Sequence, residues 1–302
     1  MDISQADQII EELYFKKGVR TEEETHLLIE TLEYKIHRFN DDYAASLLAD
    51  VYYCLENYDL SVKYNEIVLS GNNEEYKVQA AIQIAYIYYY GRTGHKDYQK
   101  AYEYYTYGAN STKSPTNMCC KYKLADMYKN GYYVEKDYEK YKSIVRELYD
   151  EVKDARYLHY PLPEIFTRLA RIEKEEGHIN EALRLYFIAI NFLSQRIVHD
   201  HFFGNFNIMK WSKEDVYTMI DIDEYDLDLY DLYVVLKAPH KVQFIYENQT
   251  YIVESKIINN YLTILFNNQQ FRDVDLFMQH AKISDHYLYE IYNQLYNMEV
   301  IE

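Results

Sequence analysis

The 302-residue chain has few prolines, glycines and cysteines. Several of its four prolines and eight glycines stand between segments of helical periodicity, where they end or begin helices. The three cysteines, Cys54, Cys119 and Cys120, are odd in number and two are adjacent. This spacing gives neither a disulfide framework nor a CxxC metal motif, and it fits a reducing compartment.

Basic residues are outnumbered by acidic ones, so the net charge is −17 and the pI is about 5.0. Nucleic-acid backbones and anionic membranes bind clustered Lys and Arg, so the charge argues against both as partners. No stretch approaches 18 uninterrupted apolar residues, so no membrane span is expected. The first residues contain no basic and apolar leader pattern, so a cytoplasmic location is expected.

The familiar catalytic and cofactor motifs are absent from the sequence, including GxGxxG, GxxxxGK[ST], HExxH and GxSxG. His199, Asp200 and His201 have no third ligand at a standard spacing, so they do not predict a metal site. The aspartates of 221–228 lack the glycine and the closing glutamate of a calcium loop. We therefore expect no catalytic residues, no metal and no cofactor.

An internal repeat is the strongest positive signal in the chain. The same five residues recur in the same order at an offset of 40 positions: Ala85, Gly91, Asp97, Tyr98 and Lys100, then Ala125, Gly131, Asp137, Tyr138 and Lys140. A period of this length indicates stacked supersecondary units, each of which buries its apolar face against its neighbours. Stacked units present an extended surface that usually binds another macromolecule.

Apolar spacing and capping residues predict helices over most of the first 198 residues. Capping boxes are predicted at Ser4–Asp7 and Thr21–Glu24. The predicted helices are 4–16, 22–38, 42–56, 60–69, 74–90, 98–109, 116–129, 138–152, 164–176 and 180–197.

The pattern changes after about residue 198. Residues 200–210 are interpreted as a linker or irregular loop, and Ser212 as the cap of a short helix. Alternating apolar residues on both sides of Asn248-Gln249 predict a β-hairpin, and 261–266 predicts a third strand. Helical spacing is predicted from Phe271 to Leu295. Two domains are expected, a helical-repeat domain over 1–198 and a small α+β module over 199–302.

Residues 78–110 and 118–150 resemble Sel1-like repeats, in which a small-residue helix is followed by a glycine loop and an Asp-Tyr-x-Lys helix start. The second copy departs at Tyr141, where the family prefers Ala. Residues 163–196 resemble a tetratricopeptide repeat, with Glu173 in place of the usual aromatic, and 43–70 is a weaker copy. The resemblance implies a mainly α fold, an α-solenoid of helix pairs followed by the α+β module.

In repeats of this type, the first helix of each pair lines the concave face. Its solvent-facing positions are the predicted partner-binding residues: Tyr86, Tyr89, Tyr90, Tyr122, Asp126, Lys129, Thr167, Arg168, Arg171 and Lys174. The predicted groove is aromatic at one end and basic at the other, and it would grip an acidic peptide segment. The family's carboxylate-clamp pattern is not matched.

The leading hypothesis is a bacterial scaffold or adaptor that binds a protein or peptide. Two alternatives stay open: a peptide-sensing regulator of the tetratricopeptide type, and an enzyme with its active site in 200–302. The C-terminal hairpin either caps the solenoid or binds a partner by strand addition, and the cap is preferred.

Overall fold

The computed structural model describes residues 2–16, 19–111, 116–155, 161–199, 203–220 and 226–301. The chain divides into two compact units, 1–148 and 149–302, which we call unit 1 and unit 2. The predicted domain boundary at 198/199 stays a prediction. Among the described helices, none has the length and apolarity needed to span a bilayer.

Paired helices fill the first part of the chain, as predicted. Their bounds are Ile3–Tyr14 (α1), Glu22–Phe39 (α2), Asp42–Cys54 (α3), Tyr58–Ser70 (α4), Glu74–Tyr90 (α5), Tyr98–Ala109 (α6), Thr116–Asn130 (α7) and Tyr138–Val152 (α8). Within unit 1, consecutive helices from α1 to α7 pack against one another. This arrangement confirms the helix pairs implied by the Sel1-like and tetratricopeptide resemblance.

The helix caps agree with the sequence prediction in one case and correct it in another. Thr21 and Glu24 form the predicted capping box at the start of α2. The box predicted at Ser4–Asp7 is wrong, because Asp2 is the N-cap of α1 and exchanges hydrogen bonds with Gln5. The helix begins at Ile3, whereas a cap at Ser4 would place its first residue at Gln5.

The turns inside the two 40-residue repeats have matching backbone contacts. Gly91 and Gly131 adopt left-handed φ values of 69° and 71° where α5 and α7 end. Asp97 accepts a hydrogen bond from the Lys100 amide at 3.0 Å, and Asp137 accepts one from the Lys140 amide at 2.8 Å. The repeated sequence therefore encodes a repeated turn, in which glycine ends one helix and aspartate caps the next.

Small residues bring the helices of unit 1 close together. Ala85, Ala101 and Ala125 are completely buried. At Gly108 of α6, an added Cβ would lie 2.4 Å from Sγ of Cys120 in α7. Burial raises the pKa of the Cys120 thiol, so this sulfur packs as a neutral apolar group.

Unit 2 contains the last helix pair and the α+β module. Its further helices are Leu162–Glu175 (α9), Ile179–His199 (α10), Phe203–Val216 (α11), Leu232–Val235 (α12) and Val274–His280 (α13). Its strands are Lys241–Tyr246 (β1), Gln249–Ile258 (β2), Tyr261–Phe266 (β3), Gln269–Phe271 (β4), Lys282–Ile283 (β5), His286–Tyr287 (β6) and Tyr296–Ile301 (β7). The predicted hairpin is β1–β2, and it belongs to a five-stranded antiparallel sheet ordered β4-β3-β2-β1-β7.

Three predictions for this module are wrong. Within 200–210, the described residues belong to α11 rather than to an irregular loop, and Ser212 lies inside that helix, donating to the Ile208 carbonyl. The segment 288–295 forms 3-10 turns instead of an α-helix, and the chain then returns as β7 beside β1. Long-range pairing with β1 has overridden the local helical spacing.

Both edges of the five-stranded sheet are restricted. The edge strand β4 has three residues. The other edge strand, β7, is bridged through Met298 to Leu227. Short or covered edges offer few free backbone groups to an added strand. The preference for a capping role over strand addition stays a prediction.

We expect Gly91→Ala to destabilise unit 1 more than Gly94→Ala or Gly131→Ala, although all three glycines have a positive φ. An alanine Cβ at Gly91 would lie 2.8 Å from the Lys96 backbone nitrogen. Gly94 has open space, and a Cβ at Gly131 would lie at the longer distance of 3.3 Å from Cβ of Lys136. Left-handed alanine alone costs about 1 kcal/mol, so Gly94→Ala and Gly131→Ala should lose about that much. Gly91→Ala should lose about 2–3 kcal/mol.

Urea unfolding of the three variants measures this difference. Gly94 lies in the same turn as Gly91 and is the matched control. An equal loss of unfolding free energy for Gly91→Ala and Gly94→Ala would contradict the prediction. It would show that the short distance between the new Cβ and the Lys96 nitrogen does not destabilise the fold.

Candidate functional site

Four of the predicted partner-binding tyrosines surround one lysine between α5 and α7. We define the α5–α7 cluster as Tyr86, Tyr89, Tyr90, Tyr122 and Lys123. Residues 86, 89 and 90 share one face of α5 because helical neighbours lie three and four positions apart. The hydroxyls of Tyr86 and Tyr122 lie 3.2 Å apart across the two helices.

Lys123 is the centre of this cluster, and its side chain is buried. Its ammonium donates to the Tyr90 hydroxyl at 2.8 Å. It also lies 5.1 Å from the ring centroid of Tyr86 and 5.0 Å from those of Tyr89 and Tyr90. Ring faces carry negative potential, so three rings stabilise a cation that the interior would otherwise disfavour.

Further ring contacts hold the tyrosines in fixed positions. Tyr86 stacks on Tyr90 with centroids 5.9 Å apart, and Tyr89 meets Tyr90, Tyr98 and Tyr132 edge-on. Burial, and then the charge of Asp126, raise the pKa of Tyr89. Its ring is therefore a neutral packing group at physiological pH.

The exposure of these residues differs from the prediction at one position. Tyr90 is 48% exposed, whereas Tyr122 is buried and is not solvent-facing. Asp126 and Lys129 are half-buried on α7, and the Lys129 ammonium lies 5.1 Å from the Tyr141 ring. The predicted side chains on α5 and α7 that a partner can reach are thus Tyr90 and the partly exposed Tyr86, Tyr89, Asp126 and Lys129.

In unit 2, Thr167 and Arg168 of α9 bond to their own helix. Thr167 is buried, which corrects its predicted exposure, and its hydroxyl donates to the Pro163 carbonyl at 2.7 Å. Arg168 donates to the Glu164 carbonyl at 2.6 Å and stays partly exposed.

Arg171 and Lys174 converge on a carboxylate of the same chain. Asp215 of α11 accepts three hydrogen bonds. Arg171 donates at 2.8 Å, Lys174 donates at 3.3 Å and the hydroxyl of the buried Tyr186 donates at 2.7 Å. Burial opposes ionisation of Asp215, but these three donors hold its pKa below the usual range. The two basic side chains therefore stabilise the packing of α11 against α9 and α10.

The acidic segment that follows α11 supplies two carboxylates to a buried lysine. Lys213 of α11 is 1% exposed, and its ammonium lies 2.7 Å from both Asp228 and Asp231. Burial raises the pKa of Asp231 to about 6, although Lys213 acts in the opposite direction. Asp200, His201, Asp221 and Asp223 lie outside the described residues.

Three side chains at the end of α9 could hold a metal ion. The ligand atoms of Glu173, Glu176 and His178 lie within 4.8 Å of one another, and His178 Nδ1 is 2.7 Å from Glu173. Exposed acidic groups commonly cluster without a metal, so no metal function follows from this proximity.

Sequence reasoning missed Lys123, and the repeat contains a signal for it. The residue 40 positions earlier is Gln83, which is also a polar side chain at an inward position of the first helix of a pair. Gln83 donates to Asp50 of α3 at 2.5 Å, as Lys123 donates to Tyr90 of α5. A polar residue that recurs at this position predicts a hydrogen bond to the first helix of the preceding pair.

Fold and site together define a helical-repeat protein with an aromatic surface formed by the first helices of two successive pairs. No protein-family model and no curated protein sequence matches the chain. Among solved structures, it is similar to c5321, a protective antigen of uropathogenic Escherichia coli with an SLR fold, at 16% identity and a TM-score of 0.47. That match covers 72% of this chain and 50% of the antigen, so the chain spans about half the antigen's length.

Two repeat proteins from fungi are also similar in structure. A putative kinesin light chain of Podospora anserina with TPR-like repeats has 15% identity and a TM-score of 0.42, covering 64% of this chain and 94% of its own. The nuclear import adaptor Nro1 of S. pombe has 14% identity and a TM-score of 0.36, covering 78% and 90%. Because all three TM-scores are below 0.5, nothing about this chain's partner or activity follows from them.

Asp215 predicts a pH dependence for unit 2. Its folded pKa lies below the ordinary value of 3.8, so ionised Asp215 stabilises the fold above that value. This contribution is lost as the pH falls through the folded pKa. We expect Asp215→Asn to lower the free energy of unfolding by about 1–2 kcal/mol at neutral pH and by much less in strong acid.

Urea unfolding at several pH values measures the difference between wild type and variant. Asp285→Asn is the control, because Asp285 is exposed and should show almost no difference at any pH. A difference for Asp215→Asn that stays constant from neutral pH to strong acid would contradict the ion-pair account.

Proposed function

We propose that this chain is a protein-binding scaffold or adaptor, and that the α5–α7 cluster is its main contact surface. The observation that carries the proposal is the half-exposed Tyr90 ring, held in place by the buried Lys123 ammonium and the stacked Tyr86 ring. Tyrosine is enriched at protein interfaces, and a ring that is already ordered loses little entropy on binding.

The charge around this surface favours a partner segment with both polar and aromatic groups. Asp126 and Lys129 lie one to two helical turns beyond Lys123 on α7, and both are partly exposed. They would pair with opposite charges at the rim of the interface, where ion pairs contribute more to specificity than to affinity.

The basic residues of α9 have a smaller part in this proposal than the sequence assigned to them. Arg171 and Lys174 already bind Asp215, so a partner carboxylate would have to compete with it. Arg168 is the remaining basic candidate on α9. The described cysteines form no disulfide, which suits the cytoplasmic location we propose.

Affinity capture from the native lysate, followed by mass spectrometry, tests this function. We expect wild type to retain a stoichiometric partner that Tyr90→Ala loses by at least about tenfold, since buried aromatic anchors contribute about 2 kcal/mol or more. Tyr107→Ala is the matched control, because Tyr107 is 44% exposed but lies on α6.

Arg168→Glu reports separately on the α9 contact. Arg171→Glu is unsuitable because it would place a second carboxylate against Asp215 and destabilise unit 2. Capture of one set of proteins by wild type, Tyr90→Ala and Arg168→Glu alike would overturn the proposal.

A further inference from the structure

An open cleft lies at the turn end of unit 1, and its lining residue Arg92 has its guanidinium 6.0 Å from the ring centroid of Tyr90. The volume of the cleft is about 470 Å³. The turn between α3 and α4 forms one wall and the turn after α5 forms the other. The lining residues are Leu55, Glu56, Asn57, Tyr58, Asp59, Arg92, Thr93 and Gly94.

Arg92 is the cationic group of this cleft, and aromatic rings position it. Its guanidinium lies 4.8 Å from the Tyr53 ring centroid and 5.3 Å from that of Tyr58. It makes one long hydrogen bond, 3.3 Å, to the Tyr58 hydroxyl. Among the described residues it has no carboxylate partner, although a guanidinium carries five N–H donors in a fork that matches a carboxylate.

A second polar group at the cleft has no hydrogen-bond partner among the described residues. Thr93 Oγ1 is buried and has no hydrogen-bond partner among the described residues. A buried hydroxyl without a partner is costly, and rotation of the Thr93 side chain about its Cα–Cβ bond toward the cleft would let it donate to a bound ligand. Thr93 follows Arg92 in the chain, so the guanidinium and the hydroxyl belong to the same turn.

The internal repeat shows that this cleft is a departure from the basic pattern. Tyr132 is the residue 40 positions after Arg92, and it stacks flat on Tyr98 with centroids 4.2 Å apart. Tyr98 in turn corresponds to Tyr58, on which Arg92 lies. At this turn the chain thus has a guanidinium where the next repeat has a packed ring.

We propose that this cleft binds a carboxylate of a partner peptide, with Arg92 as the ion-pairing group and Thr93 as a second donor. Tyr58 and the exposed Leu55 would contact the apolar part of the ligand. Glu56 and Asp59 also line the cleft, so they weaken the attraction and restrict binding to a carboxylate that reaches the Arg92 fork. The peptide origin of the ligand rests on the proposed scaffold function, whereas carboxylate recognition does not.

Fragment titration of the full-length chain, followed by ¹⁵N-TROSY NMR of the arginine Nε–H and backbone amides, tests the site. The probes are N-acetylglutamate α-amide for a side-chain carboxylate, N-acetylglycine for a C-terminal carboxylate and N-acetylglutamine amide as the neutral control. We expect saturable shifts of Arg92 and Gly94 with a carboxylate probe, with a dissociation constant in the millimolar range. The tighter of the two carboxylate probes identifies the source.

Three variants make the test specific. Arg92→Gln, followed at the Gly94 amide, should weaken binding at least about tenfold, and Thr93→Val about threefold. Asp59→Asn should tighten binding about twofold, because it removes a negative charge from the cleft. The Nε–H of Arg184, whose guanidinium is occupied by Glu181, should not shift.

Several results would overturn the site: no saturable shift with either carboxylate, equal shifts with the neutral probe, equal shifts at Arg184, or binding unchanged by Arg92→Gln. The scaffold function is judged independently by the Tyr90→Ala capture. Fragment binding with failed capture would remove the scaffold proposal and leave the carboxylate site. Successful capture without fragment binding would support the scaffold function and overturn the carboxylate site.

Discussion

Each helix pair in unit 1 can bury its apolar face only against the next pair, and the other features of the unit depend on this constraint. Ala85 and Ala125 are fully buried, and Gly108 allows Cys120 to approach α6 closely. Tyrosine rings fill the space between these helices, as at the fully buried Tyr105, and pack from one repeat to the next.

Two buried lysines show two ways in which this fold accommodates a cation. Lys123 is stabilised in unit 1 by three tyrosine rings and a hydroxyl, with no carboxylate among its described contacts. Lys213 is stabilised in unit 2 by two aspartates. The ring cage leaves Lys123 with a local positive potential in a strongly acidic protein, whereas the aspartates neutralise Lys213.

The predicted binding surface could be read from the sequence only in part. Helical spacing correctly grouped Tyr86, Tyr89 and Tyr90 on one face of α5. It could not show that Tyr122 is covered, since coverage depends on the neighbouring helix. Arg171 raised the same difficulty, because its partner Asp215 is 44 residues further along the chain.

The sequence by itself determined the helix pairs of unit 1, the capping box at Thr21 and the repeated turn, since these depend on residues within a few positions of one another. Glutamine and lysine at positions 83 and 123 were within reach of the same reasoning. Only the tertiary structure decided the pairing of β7 with β1, the ion pairs of Asp215 and Lys213, and the cleft at Arg92. These contacts join residues that are distant in the chain, and local periodicity carries no information about which distant groups meet.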